Sequence, residues 1–218
     1  MKTDSQLQLD VMEELKWEPG VDHEHIGVSV ASGVASLSGT VRSYAEKLLA
    51  EKTVRRVKGV RAVAEELQIR YDWQPKTSDS EIAKRVADIL QWDPLVPKDR
   101  IEVTVEDGVV KLTGKVDWHY QKDRAFDGAS KVSGVLRIDN LVQVAPGMTP
   151  APGDVRQRIE KAFERQADLD AEKIAVKTEA GTVTLIGHVS SWEKRNLAER
   201  AAWAAPGVMH IEDKLVVG

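Results

Sequence analysis

The chain has no cysteine, only two phenylalanines and no low-complexity tract in its 218 residues. Without cysteine it can form no disulfide, thiolate nucleophile or thiolate-ligated metal centre. That absence fits a reducing compartment or an exported protein that does without bridges. No run approaches the roughly 20 apolar residues of a membrane-spanning helix. The opening segment, Met1 to Lys16, carries Lys2, Asp4, Asp10, Glu13 and Glu14 and lacks the apolar stretch of about 7–15 residues that a secretory leader needs. As given, the chain is expected in the cytoplasm, or in the periplasm if a leader has been removed. Motifs of catalysis are missing as well: there is no Gly-x-Ser-x-Gly elbow, phosphate-binding Gly-x4-Gly-Lys-Ser/Thr loop or His-Glu-x-x-His helix. No enzyme activity, cofactor or metal is expected. Strong charge of one sign is also lacking. Residues 1–72 hold 10 basic and 12 acidic side chains, 73–146 hold 11 and 12, and 147–218 hold 10 and 11. Neutralising nucleic-acid phosphates needs a clustered positive surface, so nucleic acid is not an expected partner.

What the chain does have is a lattice of glycines. Gly33, Gly39 and Gly59 recur as Gly108, Gly114 and Gly134, and again as Gly181, Gly187 and Gly207, with intervals of 6 and 20 each time. Three identical pairs of intervals indicate three copies of one unit. These nine glycines are read as structural, placed at turns and at a helix end.

The apolar residues repeat with them. Leu7, Val11 and Leu15 match Ile82, Val86 and Leu90 and then Val155, Ile159 and Phe163, a buried stripe at helical spacing. Thr3 with Gln6, Ser78 with Glu81 and Asp154 with Gln157 read as helix-start caps. Ile26, Val28 and Val30 alternate with period two, as do Ile101, Val103, Val105 and Ile174, Val176, Thr178. The alternation resumes past the turn glycine at Ala35 and Leu37, Val110 and Leu112, Val183 and Leu185. Each copy therefore carries a hairpin, Asp107-Gly108 being the strongest turn signal. A second helix follows, with Ala50, Val54 and Val57 matching Ala125, Ala129, Val132 and Ala198, Ala202, Ala205, and it stops at the third lattice glycine. A last apolar strand closes each unit over 60–69, 135–144 and 208–217. Matching Leu141 to Leu67 and Leu215 makes the middle copy one residue shorter, so a bulge is expected in the first and third strands.

The expected fold is α+β: three tandem αββαβ modules over 1–72, 77–146 and 153–218, each a three-stranded mixed sheet with two helices on one face. Linkers are expected at Asp72 to Thr77, where Trp73 could pack two copies together, and at the proline-rich Ala145 to Gly153.

The segments Ile101 to Val116 and Gly134-Val135 to Val144, with their equivalents from Ile26 and Ile174, resemble the BON domain (bacterial osmotically inducible and nodulation proteins). The resemblance spans nearly the whole chain. It implies a non-enzymatic binding module that contacts phospholipid or another cell-envelope component in a stress-related role, with no catalytic residues to assign. The alternative is a cytoplasmic stress-associated scaffold or holdase for other proteins.

Three features bear on that choice. Lys52, Arg55, Arg56 and Lys58 cluster at the end of the first copy's second helix. They read either as an anionic headgroup contact, at roughly 1 kcal/mol per basic residue, or as a solvated face with cations at a helix C-terminus. Trp17 and Trp92 stand at equivalent positions after the first helices, and read either as interfacial anchors or as covers over the open end of a small core. His23-Glu24-His25 offers two imidazoles without a third ligand and reads as a surface segment. Final strands at module edges offer a route to self-association.

Overall fold

The computed structural model describes residues 2–70, 77–147, 151–166, 169 and 171–217. Trp73 and most of the first linker lie outside the described residues, as does the middle of the second. In the first copy the order is α1 (Asp4–Trp17), β1 (Ile26–Ala31), β2 (Val34–Val41), α2 (Tyr44–Arg55) and β3 (Ala62–Ile69). The second runs α3 (Asp79–Trp92), β4 (Ile101–Glu106), β5 (Val109–Val116), α4 (His119–Ser130), β6 (Arg137–Asn140) and β7 (Gln143–Val144). The third runs α5 (Pro152–Glu164), β8 (Ile174–Glu179), β9 (Thr182–Val189), α6 (Trp192–Trp203) and β10 (His210–Val217).

In the first and third copies the hairpin is antiparallel and the helical crossover returns the last strand parallel to its second arm, giving sheet orders β1-β2-β3 and β10-β9-β8; the second copy's sheet has the order β4-β5-β6, with β7 also pairing parallel to β5. The sheets are mixed because a helix, unlike a tight turn, can carry the chain back to the same end. In the first copy Leu7, Val11 and Leu15 of α1 and Ala50 and Val54 of α2 share one buried cluster with Ala35, Leu37, Val41 and Leu67. Both helices therefore cover one sheet face. The third copy builds the same core from Val155, Ile159, Phe163, Ala198, Ala202, Val183, Leu185 and Leu215. Alanines in the second-helix stripe let that helix lie close to the strands, since they add little volume between the two backbones.

Residue contacts divide the chain into two compact units. One is Met1–Arg85 with Val105–Val110 and Ala129–Ile138; the other is Val86–Thr104 with Lys111–Gly128 and Asp139–Gly218.

All nine lattice glycines have positive φ. The hairpin turns use positive φ at two successive residues, Ser32-Gly33, Asp107-Gly108 and Ala180-Gly181, the geometry that matches strand twist. Gly39, Gly114 and Gly187 meet a different constraint. A Cβ there would lie 2.1, 2.0 and 2.0 Å from the carbonyl oxygens of His25, Arg100 and Lys173.

Two local expectations fail. Val142, not Leu141, takes the place of Leu67 and Leu215: Val142 is buried and Leu141 is exposed. The middle copy is not shorter, and β3 and β10 pair one-for-one with β2 and β9 along their whole length, so no bulge interrupts the first and third strands where one was expected. Arg61 and Arg70 N–H donate to Gly33 and Val41 O, and Leu136 and Ala145 to Gly108 and Val116 O, one residue more on the last strand each time. In the third copy Gly181 O accepts from both Met209 and His210, at 2.8 and 3.3 Å. The one-residue offset thus recurs, and in the first and third copies it lies at the entry to the last strand. Likewise α5 starts at Pro152 after Ala151 with no side-chain cap, which puts Asp154 inside the first turn. Proline's fixed φ and missing N–H suit that first position. The other two caps form, Thr3 accepting from Gln6 N at 3.2 Å and Ser78 exchanging bonds with Glu81 at 3.2 and 3.3 Å.

Candidate functional site

The features singled out in the sequence gather at the ends of the helices. Trp17 closes α1 and Trp92 closes α3, and they are 82% and 84% exposed. Neither covers a core. Val21 and Val96, a few residues on, are the buried residues there, so each indole is left in solvent.

The four cations of the first copy do not form one open field. Arg55 is held by Glu51 one turn back, at 2.5 Å. Arg56 turns towards α1 and pairs with Glu14 at 2.8 Å and Glu18 at 3.1 Å. Lys52 and Lys58 are exposed. The consequence is an arrangement the sequence did not show: Arg56 ties the basic end of α2 to the residues flanking Trp17. An indole and several cations therefore share one neighbourhood, with two of the cations already answered by carboxylates.

Beyond α1 a groove of about 490 Å³ opens between the following loop and the start of α2, with Val21, Asp22, Arg42, Ser43, Glu46 and Leu49 on its walls. Glu46 is buried and accepts from the backbone amides of Asp22 and Arg42, both at 2.7 Å. Asp22 pairs with Arg42, and that hydrogen bond holds its carboxyl below the ordinary range. In the second copy Gln121 does the work of Glu46, accepting from Asp117 and Trp118 at 3.0 Å. The same end of that copy exposes Leu95, Trp118 and Tyr120.

His23–His25 forms a short 3₁₀ turn before β1, and His25 lies 3.3 Å from Asp22. Among the described residues no group of three or more His, Asp or Glu side chains is placed to hold a metal ion.

Sequence reasoning missed several repeated side chains. Asp4 accepts from the turn amides of Ser32 and Gly33 at 2.8 and 3.0 Å, and Asp79 from Asp107 and Gly108 at 2.8 and 2.9 Å. Each carboxylate fastens its first helix to its hairpin. Their common offset from the lattice glycines was the available signal; Pro152 occupies the position in the third copy. A second device guards the final strand. Glu65, Asn140 and Asp213 each accept the backbone amide two residues on, at 2.5, 3.3 and 2.8 Å. Lys47 adds a bond to Leu67 O at 2.8 Å, and Asn140 donates to Lys122 O at 3.1 Å. Apart from the Asn140 bond to Lys122 of α4, these side chains occupy backbone groups of the closing segment, which works against pairing with another chain.

Comparison with known proteins agrees with this architecture. The BON domain pattern matches three times, over residues 3–71, 78–146 and 153–218. The chain belongs to the BON-domain family. It is 33% identical over 129 residues to osmotically-inducible protein Y of Escherichia coli (strain K12), a match covering 55% of this chain and 64% of that protein. Among solved structures it resembles CdsD, a structural protein of the type III secretion system of Chlamydia trachomatis, at 15% identity and a TM-score of 0.28, over 96% of this chain and 91% of that one. At that score the likeness carries no argument. Among the described residues no helix is long and apolar enough to cross a membrane.

Proposed function

We propose that this BON-domain chain is a non-catalytic tandem binding protein that contacts a phospholipid surface or another cell-envelope component in a stress-related role. Its modules are taken as 1–72, 77–146 and 153–218. The observation that carries the reading is the pair of equivalent, almost fully exposed indoles, Trp17 and Trp92. Indole is favoured at the boundary between water and lipid, where its apolar body is buried and its N–H stays wet. The cations beside Trp17 add attraction for anionic headgroups that falls with salt. The stress context rests on the name of the osmotically inducible relative. The recurring residues serve turns, caps and cores, which supports a module whose work is binding.

Leu95, Trp118 and Tyr120 favour a second reading, a scaffold or holdase for proteins, because exposed apolar side chains also suit a polypeptide client. Co-sedimentation with phosphatidylglycerol and phosphatidylcholine vesicles at low and high salt separates the two. Anionic-selective binding that weakens with salt, with blue-shifted tryptophan emission that Trp17→Ala and Trp92→Ala reduce, is the expected result. Binding to neither vesicle, with suppression of a model client's aggregation, selects the second reading.

A further inference from the structure

Copies two and three meet through stacked rings inside the second compact unit. His119, the first residue of α4, lies against Trp203, the last of α6, with ring centroids 3.8 Å apart and planes 15° from parallel. His119 Nδ1 is 3.0 Å from Asp123 Oδ2, one turn along α4. Glu199 stands one turn before Trp203 and is partly buried. Burial and then Asp213 raise its carboxyl above the ordinary range, with Asp123 acting in the same sense, while Arg195 and His119 oppose them. Arg195 is engaged with Asp213 at 2.5 Å and lies over the Trp192 ring. Carboxylates from two repeats thus act at one imidazole.

We propose that the His119–Trp203 stack is a pH-dependent joint between the second and third copies, closed when His119 is protonated and loosened when it is neutral. Imidazole is the side chain whose charge ordinarily changes between pH 5 and 8. Protonated, it gains attraction to the indole face and answers Asp123 and Glu199 together. Neutral, it leaves those two carboxylates opposing each other across the contact, with Glu199 partly removed from water. Both effects have the same sign: closure is favoured while the imidazole holds its proton and is lost when it gives the proton up. The His119–Asp123 pair lies within α4 and is kept in both states, so the change comes from the cation–π contact and the attraction to Glu199 across the joint, together worth about a five- to tenfold change in the closed-to-open ratio.

Because the chain has no cysteine, two introduced thiols report distance without background. Spin labels at Lys111→Cys and Lys177→Cys, both exposed strand positions, are measured in the full chain at pH 5.5 and 8.0. A narrow closed population at pH 5.5 that falls about five- to tenfold relative to the open one at pH 8.0 is expected. His119→Gln should abolish the pH response, and Glu199→Gln should restore closure at pH 8.0. Identical distributions at both pH values, or a response that survives His119→Gln, would overturn the proposal. If His119→Gln perturbs the circular dichroism spectrum, Glu199→Gln decides alone, and no gain in closure at pH 8.0 overturns it.

Discussion

Replacing Gly39 and Gly59 by alanine, one at a time, separates the two demands placed on the lattice glycines. Both have strongly positive φ, +117° and +109°. Both substitutions therefore incur the backbone cost of an L-residue in that region, roughly 1–2 kcal/mol. Only Gly39 also faces backbone. Its Cβ would sit 2.1 Å from His25 O and 3.5 Å from Ile26 Cα, whereas at Gly59 the nearest atom is a flexible Leu7 methyl at 3.4 Å. Ile26 and Gly39 are the last pair of the hairpin register. Relieving the overlap moves the strand by about 1 Å, enough to break a backbone hydrogen bond worth about 1 kcal/mol, with its amide partly exposed. The expected costs are about 3 kcal/mol for Gly39→Ala and about 1–2 kcal/mol for Gly59→Ala. Unfolding of three modules is not a single two-state event, so the assay is native-state hydrogen exchange at Leu37 and Val41, read copy by copy. Gly39→Ala should speed exchange there by about 100-fold, at 1.4 kcal/mol per factor of ten, leaving the core amides of the third copy unchanged. A Gly39→Ala protein no less protected than Gly59→Ala would refute the steric argument.

Further substitutions test single contacts. Asp79→Ala removes the acceptor of two turn amides and should destabilise the second copy by about 1–2 kcal/mol; the matching change at Pro152 has no such bonds to lose. Ala180→Asn relieves an alanine at φ +44° and should stabilise the third copy by about 1 kcal/mol in thermal denaturation. Thr53 is fully buried and its hydroxyl makes no hydrogen bond, so Thr53→Val should leave the first copy equally or more stable, by up to about 1 kcal/mol. The amide and hydroxyl of Ser78 hold the Glu81 carboxyl below its ordinary range. Its contribution to α3 is therefore complete above the unfolded carboxyl range and is lost as pH falls through the lowered folded value. Exchange at the start of α3 should accelerate on acidification in the parent protein and show little acid dependence in Glu81→Gln.

Glycine spacing, strand alternation and helix stripes made the αββαβ order legible because each is enforced locally. A two-residue turn needs positive φ whatever packs around it, and a period of two or 3.6 follows from backbone geometry. The same local logic found Thr3 and Ser78 as caps. It misplaced the third cap because Pro152, an equally good helix start, lies two residues before Asp154. It also matched Leu141 with Leu67, because both are leucines; only burial shows that Val142 points into the core.

Contacts between residues far apart in sequence were decided by tertiary structure. Arg56 is 42 residues from Glu14, so the sequence offered a cluster of cations where packing made an ion-paired bridge between two helices. Exposure of Trp17 and Trp92 is set by where each helix ends relative to its core, and periodicity carries no information about that. His119 and Trp203 belong to different repeats and occupy no shared lattice position, so nothing local foretold their stacking. The sequence by itself determined the repeat, its turns and the residues that fill each core. Only the folded chain decided which charges are answered, which indoles are left in water and where two modules touch, because those outcomes depend on distances that backbone periodicity does not encode.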